Sequence, residues 1–415
     1  DLFPDEDGDT VEEWLTDSLV HLSLVQDNRD GWYEIHPLLR RYFRDKLEAS
    51  PHAEPAKRRY CGIMSKKSAE MPYNPTVEIV EEFKPFLLHL QTSVGEYPQY
   101  IADEDLFWSY TGLARYYEGQ GLYAIAEPYC QDCLTATRTH LGDNHPHVAT
   151  SLNNLALLYE SQGRYTEAEP LYLEALDLYK RLLGDNHPHV ATSLNNLAEL
   201  YRSQGRYTEA EPLYLEALDL KKRLLGDNHP DVASSLNNLA ALYDSQGRYT
   251  EAEPLYLEAL DLRKRLLGEN HPDVATSLNN LAYLYDSQGR YTEAEPLYLE
   301  ALDLKKRLLG DNHPLVANSL NNLAALYRSQ GRYTEAEPLY LEALDLRKRL
   351  LGDNHPHVAT SLNNLAYLYN SQGRYTEAEP LYSEALQICE QSLGIAHPTT
   401  MTVRGNYAIC LRRGR

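Results

Sequence analysis

The stretch HPHVATSLNNLALLYESQGRYTEAEPLYLEALDLYKRLLGDN, residues 145–186, returns along the chain with few changes. Its proline recurs at a fixed interval of 42 residues, from Pro146 through Pro188 to Pro398. A constant period of about 20–50 residues is typical of a solenoid, in which each unit packs only on its neighbours. The period therefore predicts that most of this protein is one long array with a repeated surface.

Each unit has the residue spacing of a helical hairpin. Val148, Leu152 and Tyr159 recur at intervals that place them on one helical face, and Gly163 ends that helix. A second apolar run follows at once, with Thr166 and Glu169 spaced as a capping box at its start. The sequence predicts two packed helices per unit.

The unit resembles the tetratricopeptide repeat in the longer form of kinesin light chains and similar bacterial proteins. The residues at that family's signature positions are Leu155, Ala156, Tyr159, Gly163, Ala168, Tyr172 and Ala175. The resemblance implies an all-α fold, a right-handed superhelix of helical hairpins. It covers residues 105–415, as a degenerate first repeat (105–141), six full repeats (147–393) and a capping helix (399–412).

Residues 1–50 do not repeat and predict a helix at 11–22, a β-hairpin around Asp30-Gly31 and a helix at 38–47. The letters SLVHLSLV and YEIHPLLRRYFRDKL resemble the winged-helix module that ends the nucleotide-binding part of STAND-type NTPases. In that family a histidine after the hairpin contacts the β-phosphate of ADP. The resemblance implies this nucleotide-sensing role for His36, although Pro37 stands where the family has an acidic residue.

The chain has no G-x-x-x-x-G-K-[ST] motif, so nothing in it is built to cradle nucleotide phosphates. We therefore expect no enzymatic activity and no cofactor for this chain itself, and ADP or ATP only in an intact parent. A start at Asp1 rather than methionine indicates a piece of a longer protein with its nucleotide-binding half upstream. Residues 51–104 are expected to form a helical connector that packs on the first hairpin.

The composition of the chain excludes several classes of partner and location. The formal net charge of −22 disfavours nucleic acid and anionic membranes as partners. No apolar run approaches the roughly 20 residues of a membrane-spanning helix, and five cysteines in 415 residues make no disulfide framework. We expect a cytoplasmic protein, monomeric as this chain, whose intact form oligomerises on activation.

The repeats differ from one another mainly in the first helix. One variable column reads Leu157, Glu199, Ala241, Tyr283, Ala325 and Tyr367; a second reads Glu160, Arg202, Asp244, Asp286, Arg328 and Asn370. The two columns are three residues apart and share a helical face. In tetratricopeptide arrays first helices line the concave side, so the resemblance places these columns where that family binds partners. Arg202 and Arg328 would then anchor acidic groups, and Tyr283 and Tyr367 apolar or aromatic ones; drift on a solvated face is the alternative.

The same face carries an unchanging asparagine in every repeat: Asn153, Asn195, Asn237, Asn279, Asn321 and Asn363, each followed by a second asparagine. A side-chain amide both donates and accepts hydrogen bonds, so a row of them suits the backbone of an extended peptide. In kinesin-light-chain-like repeats the matching asparagines have this role. The alternative is that one asparagine of each pair bonds the neighbouring repeat or a backbone carbonyl.

Other patterns have simpler interpretations. Cys130 and Cys133 are spaced as a metal or redox pair, but they align with core positions and are expected to be buried. The histidine before each marker proline is expected to be a turn or cap residue. Basic triplets such as Lys221-Lys222-Arg223 predict a basic row along one edge, explained by the helix dipole.

Two functions are consistent with these observations. In the first, the array is the sensor of a STAND-type signalling ATPase and binds a protein or peptide trigger. In the second, it is a kinesin-light-chain-like scaffold with no nucleotide switch. The segment with His36 is the feature that distinguishes them.

Overall fold

The computed structural model describes residues 25–27, 33–35, 44–73 and 75–414. Strands Val25–Asp27 and Tyr33–Ile35 pair antiparallel, with Val25 opposite Ile35. His36 and the helix predicted at 11–22 lie outside the described residues. The winged-helix interpretation therefore stays a prediction.

Helices make up nearly all of the remaining described chain. Before the full repeats come helices Ala53–Ala69 and Val77–Glu96, the 3-10 turns Pro98–Tyr100 and Asp103–Asp105, and a leading hairpin of Leu106–Glu118 and Tyr123–Leu141. The first helices of repeats 1 to 6 are Pro146–Ser161, Pro188–Ser203, Pro230–Ser245, Pro272–Ser287, Pro314–Ser329 and Pro356–Ser371. The second helices are Tyr165–Leu183, Tyr207–Leu225, Tyr249–Leu267, Tyr291–Leu309, Tyr333–Leu351 and Tyr375–Ser392, and a final helix spans Pro398–Arg413. The predicted array of helical hairpins is confirmed.

The chain divides into two compact units. The smaller comprises the described residues of 1–70 together with 86–112. Within it, the Ser65 and Ser109 hydroxyls lie 2.6 Å apart, and Ser68 donates to the Ser109 carbonyl at 3.1 Å. Residues 71–85 and 113–415 form the larger unit, which contains the full repeats.

First helices begin in the same way in every repeat. The marker proline occupies the first turn, where its missing N–H is not needed. The histidine before it is the cap: His145 Nδ1 accepts a hydrogen bond from the His147 backbone N–H at 3.1 Å, and His397 caps the final helix likewise. The histidines are thus cap residues, as expected.

Second helices begin differently from the prediction. The helix starts at Tyr165, its N-cap is Arg164, and no side chain caps it, so the predicted capping box of Thr166 and Glu169 is wrong. Glu169 instead accepts hydrogen bonds from Arg206 and Tyr201 of the next repeat, at 2.7 and 3.0 Å. The Glu169 carboxylate, which was predicted to cap the start of its own helix, therefore connects two neighbouring repeats.

The arginine at this N-cap organises each junction between repeats. Arg164 lies 4.0 Å from the Tyr159 ring centroid and donates to Glu167 at 2.7 Å and to Glu127 of the preceding hairpin at 2.6 Å. The same arrangement recurs at Arg206, Arg248, Arg290, Arg332 and Arg374. Because these groups are half-exposed, each pair contributes little alone, but their regular repetition fixes how hairpins stack.

The basic triplets are corrected in part. Their second residue lies at the edge, as Lys348 does, 2.9 Å from Glu384 of the next repeat. Their first residue is partly exposed in repeat 2 (Lys221) but buried between repeats in repeats 3 to 5. Lys305 is 4% exposed and donates to Ser319 at 2.9 Å, and Arg347 is 7% exposed and donates to Ser361 at 2.8 Å. In repeats 3 to 5 this column therefore consists of buried cations and does not form an edge.

Candidate functional site

The variable columns lie together on one side of the repeats, which we call the first-helix face: residues 157, 199, 241, 283, 325 and 367 with residues 160, 202, 244, 286, 328 and 370. Tyr283 is 55% exposed, Leu157 41% and Tyr367 40%. These exposed fractions exclude packing of the first column in the interior.

The asparagines of this face bond from repeat to repeat. Asn238 donates to the Asn195 side-chain oxygen at 2.7 Å, Asn364 to Asn321 at 2.9 Å, and Asn406 of the final helix to Asn363 at 3.1 Å. The second asparagine of one repeat thus reaches the first asparagine of the repeat before. The alternative interpretation, a bond to the neighbouring repeat, is therefore part of their role.

The asparagine pairs of the first helices, from 153–154 to 363–364, are called the asparagine ladder below, and its members differ in burial. Asn237 is 5% exposed and donates to the Ala233 carbonyl at 3.0 Å and to Ser277 at 3.4 Å, so both its amide hydrogens are used. Asn153, Asn195, Asn279, Asn321 and Asn363 are only partly buried. We therefore exclude Asn237 from the predicted peptide-binding residues, because both of its amide hydrogens and its side-chain oxygen are already bonded within the array.

Tyrosines of the second helices form the floor beneath the variable columns. Tyr172 donates to Glu160 at 2.9 Å and Tyr214 donates to Glu199 at 2.6 Å. The hydroxyls of Tyr340 and Tyr382, both 0% exposed, have no hydrogen-bond partner among the described residues. Sequence reasoning assigned this column to the core by its spacing alone; the hydroxyl on each ring was the signal that it missed.

The face carries charges of both signs. Arg202 is paired with Glu199, whose carboxylate accepts from its Nε at 3.0 Å. Burial raises the pKa of Asp244, and the positive charge of Arg202 reduces this rise. Burial likewise raises the pKa of Asp286, and Arg328 reduces that rise. Of the two arginines predicted to anchor acidic groups, only Arg328 therefore lacks an internal carboxylate within ion-pair distance in the described chain.

Glu160 gives the face a pH-dependent element. Burial raises the pKa of Glu160 to about 7, with Tyr172 opposing and Glu199 adding to the rise. Because the native pKa exceeds the usual 4.5, the folded chain binds more protons between about pH 4.5 and 7. The contribution of this group to stability falls as the pH rises through that range.

We expect Glu160→Gln to stabilise the array by about 1 kcal/mol at pH 8 and to change little at pH 4. Glutamine keeps an acceptor for Tyr172 but carries no charge. Urea unfolding of both proteins across this pH range measures the difference. Glu258→Gln, on the exposed surface of a second helix, is the control. A difference between Glu160→Gln and wild type that stays constant from pH 4 to 8 would show that the carboxyl is not perturbed.

A segment outside the repeats lies against this face. The Tyr73 hydroxyl donates to the Asn154 side-chain oxygen at 3.1 Å, although Tyr73 is 50% exposed. The Arg115 guanidinium lies 4.1 Å from the Tyr73 ring centroid and donates to the Met71 carbonyl at 3.1 Å. All four residues belong to the larger unit. An asparagine of the ladder can therefore bond a group that does not belong to the array.

The other predicted motifs do not form a site. Cys130 and Cys133 are buried and unbridged, as expected. Within the described ranges no group of histidine, cysteine and acidic side chains is placed to hold a metal ion. The helices of the described chain include none with the length and apolar character to cross a membrane.

A family model described as the tetratricopeptide repeat matches successive overlapping stretches from residue 105 to residue 415. A search of curated proteins finds no match. Among solved structures, BtubC (BKLC) from P. vanneervenii is 28% identical, covering 55% of this chain and 90% of that one with a TM-score of 0.44. A putative kinesin light chain from Podosopora anserina with nearly identical TPR-like repeats is 27% identical, covering 50% and 98%, with a TM-score of 0.41.

A third similar structure extends over nearly the whole chain. It is a signal transduction ATPase with numerous domains (STAND) protein with a tetratricopeptide repeat sensor, from Pyrococcus horikoshii. The identity is 16%, the TM-score is 0.51, and the match covers 97% of this chain and 58% of that chain. At this identity the similarity concerns the fold alone.

Proposed function

Because this chain belongs to the tetratricopeptide repeat family, we propose that it binds a protein or peptide along the first-helix face. We place this face on the concave side of a superhelix. Consecutive first helices touch one another in repeats 3 to 6, whereas no two consecutive second helices of the described chain approach as closely. A ribbon curves toward the side on which its units lie closer together, which supports this placement.

The observation that carries the proposal is the contact of Tyr73 with Asn154. Tyr73 belongs to no repeat, yet it reaches the asparagine ladder from outside and meets a hydrogen-bonding group there. A ligand segment from another protein could use the same kind of contact at later repeats. Side chains without polar atoms at these positions could not bond such a ligand segment.

The ladder amides keep capacity for a ligand. An asparagine side chain has two hydrogens to donate and two acceptor sites, and a bond between neighbouring repeats uses one of each at most. Packed helices lie roughly 10 Å apart, and an extended peptide advances roughly 3.3 Å per residue. About three ligand residues would therefore pass each repeat, one bonded by the ladder and others facing the variable columns.

We further propose that the array is the sensor of a STAND-type ATPase. Ligand binding on the first-helix face would be transmitted through residues 51–104 to the winged-helix segment, so that His36 releases ADP and the intact protein oligomerises. The resemblance of residues 1–50 to that module and a fold similarity that includes the residues before the repeats support this role.

Peptide binding is tested with a displayed library of random dodecapeptides as the probe. We expect selected peptides to bind the wild-type chain and to lose at least tenfold in affinity, about 1.4 kcal/mol, when Asn279, Asn321 and Asn363 are replaced by alanine. Alanine at Asn186, Asn228 and Asn270, which lie in the turns between repeats, is the matched control and should leave affinity unchanged. Equal binding to both triple variants would contradict the proposal.

The sensor role has a separate test. If it is correct, the gene encodes a G-x-x-x-x-G-K-[ST] motif before Asp1, the purified full-length protein retains ADP, and His36→Ala lowers the ADP retained. A full-length protein that carries neither the motif nor nucleotide would favour the scaffold, with peptide binding intact.

A further inference from the structure

Repeat 2 contains a carboxylate held in a defined way on the first-helix face. Glu199 accepts from Arg202 through both of its oxygens, the Nε bond being 3.0 Å long. It also accepts from the Tyr214 hydroxyl at 2.6 Å. One carboxylate thus satisfies an arginine and a buried phenol together. Arginine with a second donor is a strong arrangement for a carboxylate.

Repeat 5 keeps the same donors without the carboxylate. Arg328 and Tyr340 stand where repeat 2 has Arg202 and Tyr214, but Ala325 replaces Glu199. Tyr340 is 0% exposed, and its hydroxyl finds no partner in the described part of the chain. Arg328 forms no ion pair there within 4 Å, and its guanidinium lies 4.7 Å from the Tyr367 ring centroid. A buried hydroxyl without a partner is unusual and costs roughly 1–3 kcal/mol.

The adjoining repeat adds a third donor. Tyr382 is also 0% exposed with a hydroxyl that has no partner among the described residues. Burial raises the pKa of Tyr340 to about 12, and the positive charge of Arg328 opposes this rise at both tyrosines. Arg328 is therefore within electrostatic reach of the two hydroxyls, which remain protonated donors at neutral pH.

We propose that Arg328, Tyr340 and Tyr382 form a subsite that binds a carboxylate of the ligand, in the place that Glu199 takes in repeat 2. This assignment rests on the proposed function, because it concerns one position of the ligand on the first-helix face. The shared chemistry is a carboxylate, supplied by an aspartate or glutamate side chain or by a chain end.

The charge balance favours a singly charged, planar group. Asp286 lies in the preceding first helix, Pro272–Ser287, and interacts electrostatically with Arg328 and with Tyr340. The Asp286 carboxylate repels a dianionic phosphate about twice as strongly as a singly charged carboxylate at the same distance, and a single carboxylate matches the charge of one guanidinium. The internal arrangement in repeat 2 already has that stoichiometry.

The donors are tested first without any ligand, by the variant Ala325→Glu. We expect the introduced side chain to bridge Arg328 and Tyr340 and to raise the unfolding midpoint by about 2–4 °C. The matched control is Ala241→Glu in the same column of repeat 3. There the neighbour is Asp244, so the control should lower the midpoint. Equal destabilisation by both changes would overturn the subsite.

The second arm uses dodecapeptides selected on the wild-type chain. Neutralising the responsible carboxylate, by Glu→Gln, Asp→Asn or C-terminal amidation, should weaken binding at least tenfold to the wild type and less than twofold to Arg328→Ala. Ala325→Glu should bind the unmodified peptide at least tenfold more weakly, because its own carboxylate occupies the donors. If Glu→Gln or Asp→Asn weakens binding, the bound carboxylate is a side chain of the peptide; if C-terminal amidation weakens it, the bound carboxylate is the chain end.

The two proposals fail separately. Peptides that bind the wild type and need Asn279, Asn321 and Asn363, but tolerate every neutralisation, would overturn the carboxylate subsite and leave the proposed function standing. Failure to select any peptide would count against the proposed function, and the Ala325→Glu and Ala241→Glu pair would still decide whether the donors accept a carboxylate.

Discussion

Replacing Lys305 with methionine is expected to stabilise the array by about 2 kcal/mol at pH 7. Lys305 is 4% exposed, its ammonium donates to Ser319 at 2.9 Å, and no carboxylate forms an ion pair with it in the described chain. Burial lowers the pKa of Lys305 to about 8. The native state therefore holds a charge that the unfolded chain would hydrate freely. Methionine fills a similar volume without that penalty.

The sign of the pH dependence follows from the lowered pKa. Between about pH 8 and 10.5 the unfolded chain binds more protons at this lysine than the native chain does, so wild-type stability gains with rising pH. The advantage of Lys305→Met should accordingly be full below pH 8 and shrink above it. Denaturant unfolding at pH 7 and pH 9.5 measures both values.

Lys306→Met is the matched control, because the neighbouring lysine pairs with Glu342 at 3.0 Å on the surface and should matter by less than about 0.5 kcal/mol. A Lys305→Met protein less stable than the wild type would show that the ammonium and its bond to Ser319 outweigh the cost of burial. An advantage that did not change with pH would argue against a perturbed amine.

The fold of the array could be predicted because the residues of each repeat contain the signals that determine its two helices. Pro146 and Gly163 mark the ends of one helix, and the apolar spacing of Leu152 and Tyr159 fixes the buried side. Near-identical copies repeat these signals, so one correct interpretation of a hairpin gives nearly all helix bounds from residue 146 onward. The core residues followed for the same reason.

Contacts between repeats could not be predicted in this way, because they depend on the rotation from one hairpin to the next. Lys305, which is buried, and Lys306, which is partly exposed, are adjacent lysines, and their identity alone does not distinguish them. Glu169 has capping-box spacing, yet its partners Arg206 and Tyr201 are more than 30 residues away. The stacking angle decides such cases, and sequence periodicity does not contain it.

The candidate site was predicted in outline. Comparison of copies identified the variable columns because most positions that differ between the repeats in the first helix lie outside the packed core. The comparison did not identify the tyrosine hydroxyls beneath these columns. Tyr340 and Tyr214 have nearly the same neighbours in the sequence and differ in the first-helix residue opposite them, which is Ala325 for Tyr340 and Glu199 for Tyr214. The comparison also treated Asn237 like its counterparts, although this side chain is 5% exposed.

Hairpins that are six repeats apart in the sequence touch at two places. A Cβ added at Gly121 would collide with Pro356, and one at Gly163 would lie 2.9 Å from His397 and 3.0 Å from Pro398. The corresponding glycine of repeat 3, Gly247, has nothing within 4 Å. The turn of one hairpin thus receives the start of a first helix six repeats later.

Gly163→Ala is expected to destabilise the array by about 2–3 kcal/mol, and Gly247→Ala by about 1 kcal/mol. Both glycines have positive φ, 70° and 72°, so the backbone strain of alanine is the same at the two sites. Only at Gly163 does the new methyl group also press on His397 and Pro398. The difference between the variants therefore isolates the contact between turns.

Hydrogen exchange followed by mass spectrometry locates the effect. Peptides from the final helix, Pro398–Arg413, should exchange faster in Gly163→Ala than in Gly247→Ala, because this helix loses its contact with repeat 1 and keeps only its neighbour, repeat 6. The strain at Gly247 should open its own hairpin alone, as expected of an array stabilised by nearest neighbours. Identical exchange of the final helix in both variants would mean that the contact between turns contributes nothing, and that the superhelix is held by its adjacent repeats only.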